Sequence, residues 1–190
     1  MTYSECRSVL IELIEKSSCE TPLVIAIDGR SASGKTTFAN EVARSANIPV
    51  IHTDDFCRPR DKEGNLNLSE FDGNFDIERF KKQVVKGLKS KNDFEIGIFN
   101  CQKGCIDGYA NIPKSSCYII EGAYSLNPNL GEYATLKIFF DTSKEIQIER
   151  ILKRNGEKAL AKFLSVWIPA EERYISHYKI SEKCNYYINN

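Results

Sequence analysis

The chain has 190 residues, with 26 Lys and Arg set against 26 Asp and Glu, two His and seven Cys. At roughly 100–200 residues per domain this is one domain, able to bury about 70% of its unfolded surface, and 42% apolar with 27% charged residues argues against a disordered, collagen-like or coiled-coil chain. A formal net charge of zero gives no global drive towards nucleic acid or an anionic membrane, and no apolar run approaches the ~20 residues of a membrane span.

Residues 1–20 carry acids inside their apolar stretch and no leading basic cluster. They read as an amphipathic helix with Val9, Leu10, Leu13 and Ile14 on one face, not as a signal peptide. Residues 23–27 form a short, β-branched apolar run of the kind buried on both faces of a parallel sheet. A glycine-containing turn (29–34) and a helix over 36–46, with Phe38, Val42 and Ala46 on one side, follow. A second strand is expected at 48–53. Residues 57–75 are polar, hold Pro59, Gly64 and Gly73 and show no period, which suggests an excursion with a small hairpin. Asp76 can cap a helix reaching about residue 90, with Ile77, Phe80, Val84 and Leu88 on its apolar face. The alternation Phe94, Ile96, Ile98 and the glycines at 104 and 108 predict a hairpin flap over 92–113. Strands at 117–120 and 136–140, helices at 144–153 and 157–167 separated by Asn155-Gly156, a last helix to about residue 182 and a short strand at 186–188 complete the chain. Strands alternating with helices predict one α/β domain, doubly wound, with a mostly parallel sheet and helices on both faces.

The seven cysteines, at 6, 19, 57, 101, 105, 117 and 184, are odd in number and contain no CxxC pair. That favours a reduced, cytoplasmic compartment over a disulfide framework. Cys101 and Cys105 have no histidine nearby, so zinc is not expected.

The strongest motif is Gly29-Arg30-Ser31-Ala32-Ser33-Gly34-Lys35-Thr36, a complete G-x-x-x-x-G-K-[ST] between a strand and a helix. Its glycines let successive N–H groups face a phosphate, and the helix start adds its dipole. Lys35 supplies charge to the β- and γ-phosphates, Thr36 offers a hydroxyl to Mg²⁺, and Thr37 adds a phosphate contact. ATP, or another nucleoside triphosphate such as GTP, is the implied ligand. No N-K-x-D and no LSGGQ motif is present, and the chain is short for a motor or helicase, which leaves a small-molecule kinase.

Three further constellations fit that chemistry. Thr53-Asp54-Asp55-Phe56 places a carboxylate at a strand end, where Asp54 could take the proton of an attacking hydroxyl or hold a metal-bound water; an Asp-Asp turn is the plain alternative. Glu121, ending a buried strand before Gly122, suits Mg²⁺ coordination, against a solvated strand end. Arg150, Lys153, Arg154 and Lys158 around Gly156 could form a lid (150–168) over the triphosphate, or simply a solvated helix face. Phe99, Tyr109 and Tyr124 could stack on a ring or belong to the core, and Trp167, Tyr174 and Tyr178 are read as packing residues.

IAIDGRSASGKTTFA, TDDF, NFD, IIEGAYS, KIFFDT and ERILKRNG, in this order, resemble the uridine kinase family of phosphate-loop kinases over residues 22–188. The resemblance implies ATP- or GTP-dependent phosphorylation of a nucleoside 5′-hydroxyl, such as that of uridine or cytidine. It implies Asp54 as the catalytic aspartate, Glu121 near magnesium and Phe75-Asp76 at the ribose. It also implies Arg150 and Arg154 in a phosphate-binding lid and Phe99-Asn100 in the flap that receives the nucleoside, and it is compatible with a homo-oligomer. Cys57 replaces the tyrosine of D-x-F-Y, H-P-x-A is absent after Phe75-Asp76, and Phe99-Asn100 replaces Tyr-Asp. These departures spare the phosphate machinery and fall on the acceptor side. They keep two alternatives open: a kinase of a sugar phosphate or pantothenate-like alcohol, and a nucleotide-binding regulator without transfer.

Overall fold

The computed structural model describes residues 1–190. In chain order it begins with α1 (Tyr3–Glu15), β1 (Leu23–Gly29), α2 (Lys35–Ala46) and β2 (Val50–His52). A 3-10 turn over Thr53–Phe56 leads into loop 57–75. Then α3 (Ile77–Phe80) runs through a π turn (Lys81–Val85) into α4 (Lys86–Ser90). β3 (Phe94–Asn100) and β4 (Cys105–Ile112) form an antiparallel hairpin, followed by β5 (Cys117–Glu121) and β6 (Leu136–Asp141). Next is α5 (Lys144–Lys162), whose backbone breaks at Gly156. A π turn (Phe163–Trp167) joins it to α6 (Ile168–Tyr178), and β7 (Tyr186–Asn189) closes the chain.

The central sheet is fully parallel, in the order β2-β5-β1-β6-β7. Its register explains the apolar runs. Ile25 sits between Ile119 and Leu136, and these side chains pack with Leu10, Phe38 and Val42 of α1 and α2. Their chain neighbours Val24, Tyr118 and Ile120 point to the opposite face, where they meet Ile77, Phe80, Val84 and Leu88 and the hairpin residue Ile96. Alternate residues therefore serve two cores, so both kinds must be apolar. A third, smaller core joins Phe139 to Tyr174, Ile175 and Ile180 beside α6. The α/β, doubly wound architecture agrees with the sequence reading.

The differences have local causes. β2 spans three residues instead of 48–53, because Asn47 is left-handed and Thr53 already belongs to the 3-10 turn. Loop 57–75 forms no hairpin: single bridges, Cys57 to Phe75 and Ser69 to Gly73, close it, while Arg60 N–H bonds outward to Gly104 O. The buried stripe of α1 is Cys6, Leu10 and Ile14, with Val9 and Leu13 only half-buried. A Thr2–Glu5 capping box, absent from the sequence reading, starts this helix. No helix is long and apolar enough to cross a membrane. All seven cysteines are free thiols, with Cys6 and Cys117 in the core.

Candidate active site

β5 lies between β2 and β1, so three chain segments leave the sheet side by side at its carboxyl edge. They are the Asp54 turn after β2, Glu121-Gly122 after β5 and the phosphate loop after β1. In the register, Glu121 faces His52 on one side and Ile27 on the other. Two glycines permit this convergence. A Cβ on Gly29 would sit 1.9 Å from Phe140 O, and one on Gly122 would sit 2.0 Å from Thr53 Oγ1; both residues have positive φ.

A cavity of about 340 Å³ opens over this edge. Of the loop residues it meets Ser31, Ala32, Lys35 and Thr36. Lys35 is 7% exposed, and its Nζ donates to Gly29 O at 2.9 Å and Arg30 O at 2.8 Å. The hydroxyl of Thr36 donates to the Glu121 carboxylate at 3.1–3.2 Å. Glu121 is 4% exposed, and its Oε1 lies 2.5 Å from His52 Nδ1, a contact that raises the histidine pKa. Asp54 is exposed and lines the cavity, with protein packed around its carboxylate. That desolvation, then the charge of Glu121, raises its pKa, while Lys35, His52 and Arg154 oppose the shift.

The structure brings Ser31, Ala32, Lys35, Thr36, Asp54, Phe75, Phe99, Glu121 and Arg154 to one cavity. Gly29, Ser33 and Gly34 shape the loop behind it, and Thr37 is solvent-exposed on α2. Several other expected site residues point elsewhere. Arg30 turns to Asp141 and Glu172. Arg150 donates to Ala32 O at 3.1 Å and lies outside the cavity lining. Asp76 is committed to its helix, accepting from Arg79 N–H at 3.0 Å. Asn100 caps the hairpin turn, accepting from the N–H groups of Gln102 and Lys103. Tyr109 is 66% exposed on β4, away from the cavity, whereas Trp167, read as packing, lines it.

Other lining residues escaped the sequence reading. Arg58, Arg60, Leu66 and Asn74 come from loop 57–75, Cys101 from the hairpin turn, Lys162 from the end of α5 and Phe163 from the π turn after it. Asn74 Oδ1 is buried without a partner. Glu171 of α6 is 5% exposed and accepts from Ser31 N–H at 3.0 Å and from the Ser31 hydroxyl. Burial raises its pKa, and Lys35 and the Ser31 bonds counter this. The adjacent acids Glu171-Glu172 after Pro169 were the available signal, but nothing local ties them to a loop 140 residues away.

The residues suit a magnesium ion delivered with a nucleotide. Thr36 and the buried Glu121 present hard oxygen donors beside Lys35, and no group of three or more His, Cys, Asp or Glu side chains forms a cage of its own.

The model of the phosphoribulokinase / uridine kinase family matches residues 24–159. The uridine kinase of Ureaplasma parvum is 28% identical over 175 residues, covering 82% of this chain and 83% of that protein. Uridine-cytidine kinase B of Dictyostelium discoideum is 26% identical over 154 residues, covering 73% of this chain and 60% of that protein. Among solved structures, one described as a "possible uridine kinase" from Bacillus stearothermophilus has TM-score 0.71 at 19% identity and covers 97% of this chain and 98% of its own. D-glycerate 3-kinase from Cryptococcus neoformans has TM-score 0.61 at 13% identity, covering 90% and 87%, and so shares the fold. With the phosphate loop in its strand–helix setting and the family match over most of its length, the chain belongs to the phosphoribulokinase / uridine kinase family and is a small-molecule kinase.

Proposed function

We propose that the enzyme transfers the terminal phosphoryl group of ATP, or of GTP, to a hydroxyl of a nucleoside such as uridine or cytidine. The observation that carries this reading is the placement of Asp54 in one cavity with Lys35, Thr36 and Glu121. A hydroxyl bound there would lie between a carboxylate and the phosphate loop.

Asp54 orients the acceptor hydroxyl and takes its proton as the new bond to phosphorus forms and the bond from the γ-phosphorus to the departing nucleoside diphosphate breaks. Lys35 moves from the carbonyls of Gly29 and Arg30 to the β- and γ-phosphates, and Arg154 adds charge from the lid. Directly or through water, Thr36 and Glu121 would hold Mg²⁺, which would supply positive charge against the triphosphate. Phe75, Phe99, Tyr124, Phe163 and Trp167 line the remaining wall and suit a planar ring. The relatives named uridine kinase and uridine-cytidine kinase favour a nucleoside there.

A second reading is a phosphorylated alcohol as acceptor, favoured by Arg58 and Arg60 on the acceptor side. Release of ADP from ATP–Mg²⁺, measured across nucleosides, sugar phosphates and neutral alcohols, separates the two. Stimulation by uridine or cytidine supports the first reading, and stimulation by phosphorylated alcohols alone supports the second. ATP binding with no stimulation by any acceptor would overturn both in favour of a nucleotide-binding regulator.

A further inference from the structure

We propose that Arg79 is a positioning residue for phosphoryl transfer, fixing the spacing between the Asp54 turn and the acceptor hairpin. The proposal deepens the function above and rests on Asp54 as the base. Arg79 lies in α3, and its side chain is 11% exposed. Nη1 donates to Gly97 O of β3 at 3.0 Å. Nη2 donates to Asp55 O and, at 3.3 Å, to Cys57 O. The guanidinium carbon stands 4.6 Å from the centroid of the Phe56 ring between those two carbonyls. Nε faces Asp76 Oδ2 at 3.7 Å. One planar group thus joins the helix, the hairpin and the backbone directly after Asp54.

The hairpin is shaped to receive it. Gln83, one helical turn on, accepts from Gly97 N–H at 3.2 Å. Both backbone groups of Gly97 are therefore taken by side chains of the helical rod, at the point where the β3–β4 register slips. Gln83 belongs to the π turn, a distortion that recurs at functional sites. Space is also tight: a Cβ on Gly97 would meet Ile106 Cγ2 at 3.1 Å and Arg79 Nη1 at 3.5 Å. Beyond the slip, Phe99 and Cys101 form the acceptor wall facing Cys57 and Asp54. Lysine cannot replace this clamp, because one ammonium lacks the planar fork that reaches three carbonyls on two elements. Misplacement of about 1 Å at a reacting centre costs roughly a hundredfold in rate.

The test pairs kinetics with thiol alkylation, using the intact chain, ATP–Mg²⁺ and uridine. In Arg79→Lys, uridine-dependent turnover should fall roughly tenfold to a hundredfold at unchanged KM for ATP. Alkylation of Cys57 by iodoacetamide, followed by peptide mass spectrometry, should rise by about tenfold while Cys6 and Cys117 of the core stay protected. Gln83→Ala should give the same pattern at about threefold, as expected for one lost hydrogen bond, and serves if Arg79→Lys does not fold. Unchanged Cys57 alkylation, or a rise shared by Cys6 and Cys117, would overturn the assignment. Wild-type protein that ignores uridine would count against the proposed function alone, since the Cys57 comparison still decides whether Arg79 fixes the spacing between the Asp54 turn and the hairpin.

Discussion

Asp28 shows how single residues hold the phosphate loop in place. It sits in β1 just before Gly29, with its carboxylate buried at 1% exposure. It accepts from Gly29 N–H at 2.7 Å, Leu126 N–H at 2.9 Å and the Tyr174 hydroxyl at 2.6 Å. Burial raises its pKa, and these bonds offset only part of the shift. The proton is thus held more tightly in the folded chain than in the unfolded one. The stability Asp28 contributes is full below the unfolded carboxylate pKa and is lost as pH rises through the folded value. Tyr174→Phe removes a donor to the ionised form and should cost about 1–3 kcal/mol at pH 8, with a smaller loss at pH 4. Urea unfolding at both pH values checks this, and an equal loss at the two would contradict it. Asp28, Arg30 and Ser31 pair in turn with Tyr174, Glu172 and Glu171, so α6 braces the loop from one side.

Among the elements, α5, which carries the proposed lid, breaks at Gly156. Its φ of 79° and ψ of 172° break α5 in a conformation that is essentially restricted to glycine, and a Cβ added there would meet nothing within 4 Å. Gly156→Ala should therefore act through backbone geometry alone, tilting the segment that presents Lys162, Phe163 and Trp167 to the cavity. Turnover should fall roughly threefold to tenfold with little change in Tm. Steady-state kinetics with a melting curve checks this, and unchanged kinetics would show that the break plays no part in closure. The Asn155-Gly156 pair made this break legible in the sequence, as strand alternation did for the sheet and the Ile77–Leu88 spacing did for the rod. The π turns were not legible, since an i+5 bond leaves no compositional mark in five residues. Loop 57–75 was legible only as an interruption, because its partners lie in α6 and the hairpin: Phe71 stacks on His177 at 3.7 Å, and Arg173 donates to Glu70 O.

Across the whole molecule, strand order turns three distant motifs into one site. The phosphate loop, the Asp54 turn and Glu121 could each be recognised by chemistry, and parallel strands in the order β2-β5-β1 put them on one edge. Residues whose role depends on the assembled fold were hidden. Glu171 and Arg79 carry no motif, and Asp76, Asn100 and Arg150 lie in the right segments but face their own helix, turn and loop. The rest of the cavity lining, drawn from a loop, a hairpin and the α5–α6 junction, is likewise a tertiary product.

The proposed mechanism divides the work, giving transfer to Asp54 and nucleotide binding to Lys35. Calorimetric ATP binding and uridine-dependent ADP release, measured side by side on wild type, Asp54→Asn and Lys35→Ala, separate the two roles. Asp54→Asn should bind ATP with near wild-type affinity and lose about a hundredfold or more in turnover, whereas Lys35→Ala should lose ATP binding itself. A folded Asp54→Asn protein that phosphorylates uridine at the wild-type rate would refute the role given to Asp54.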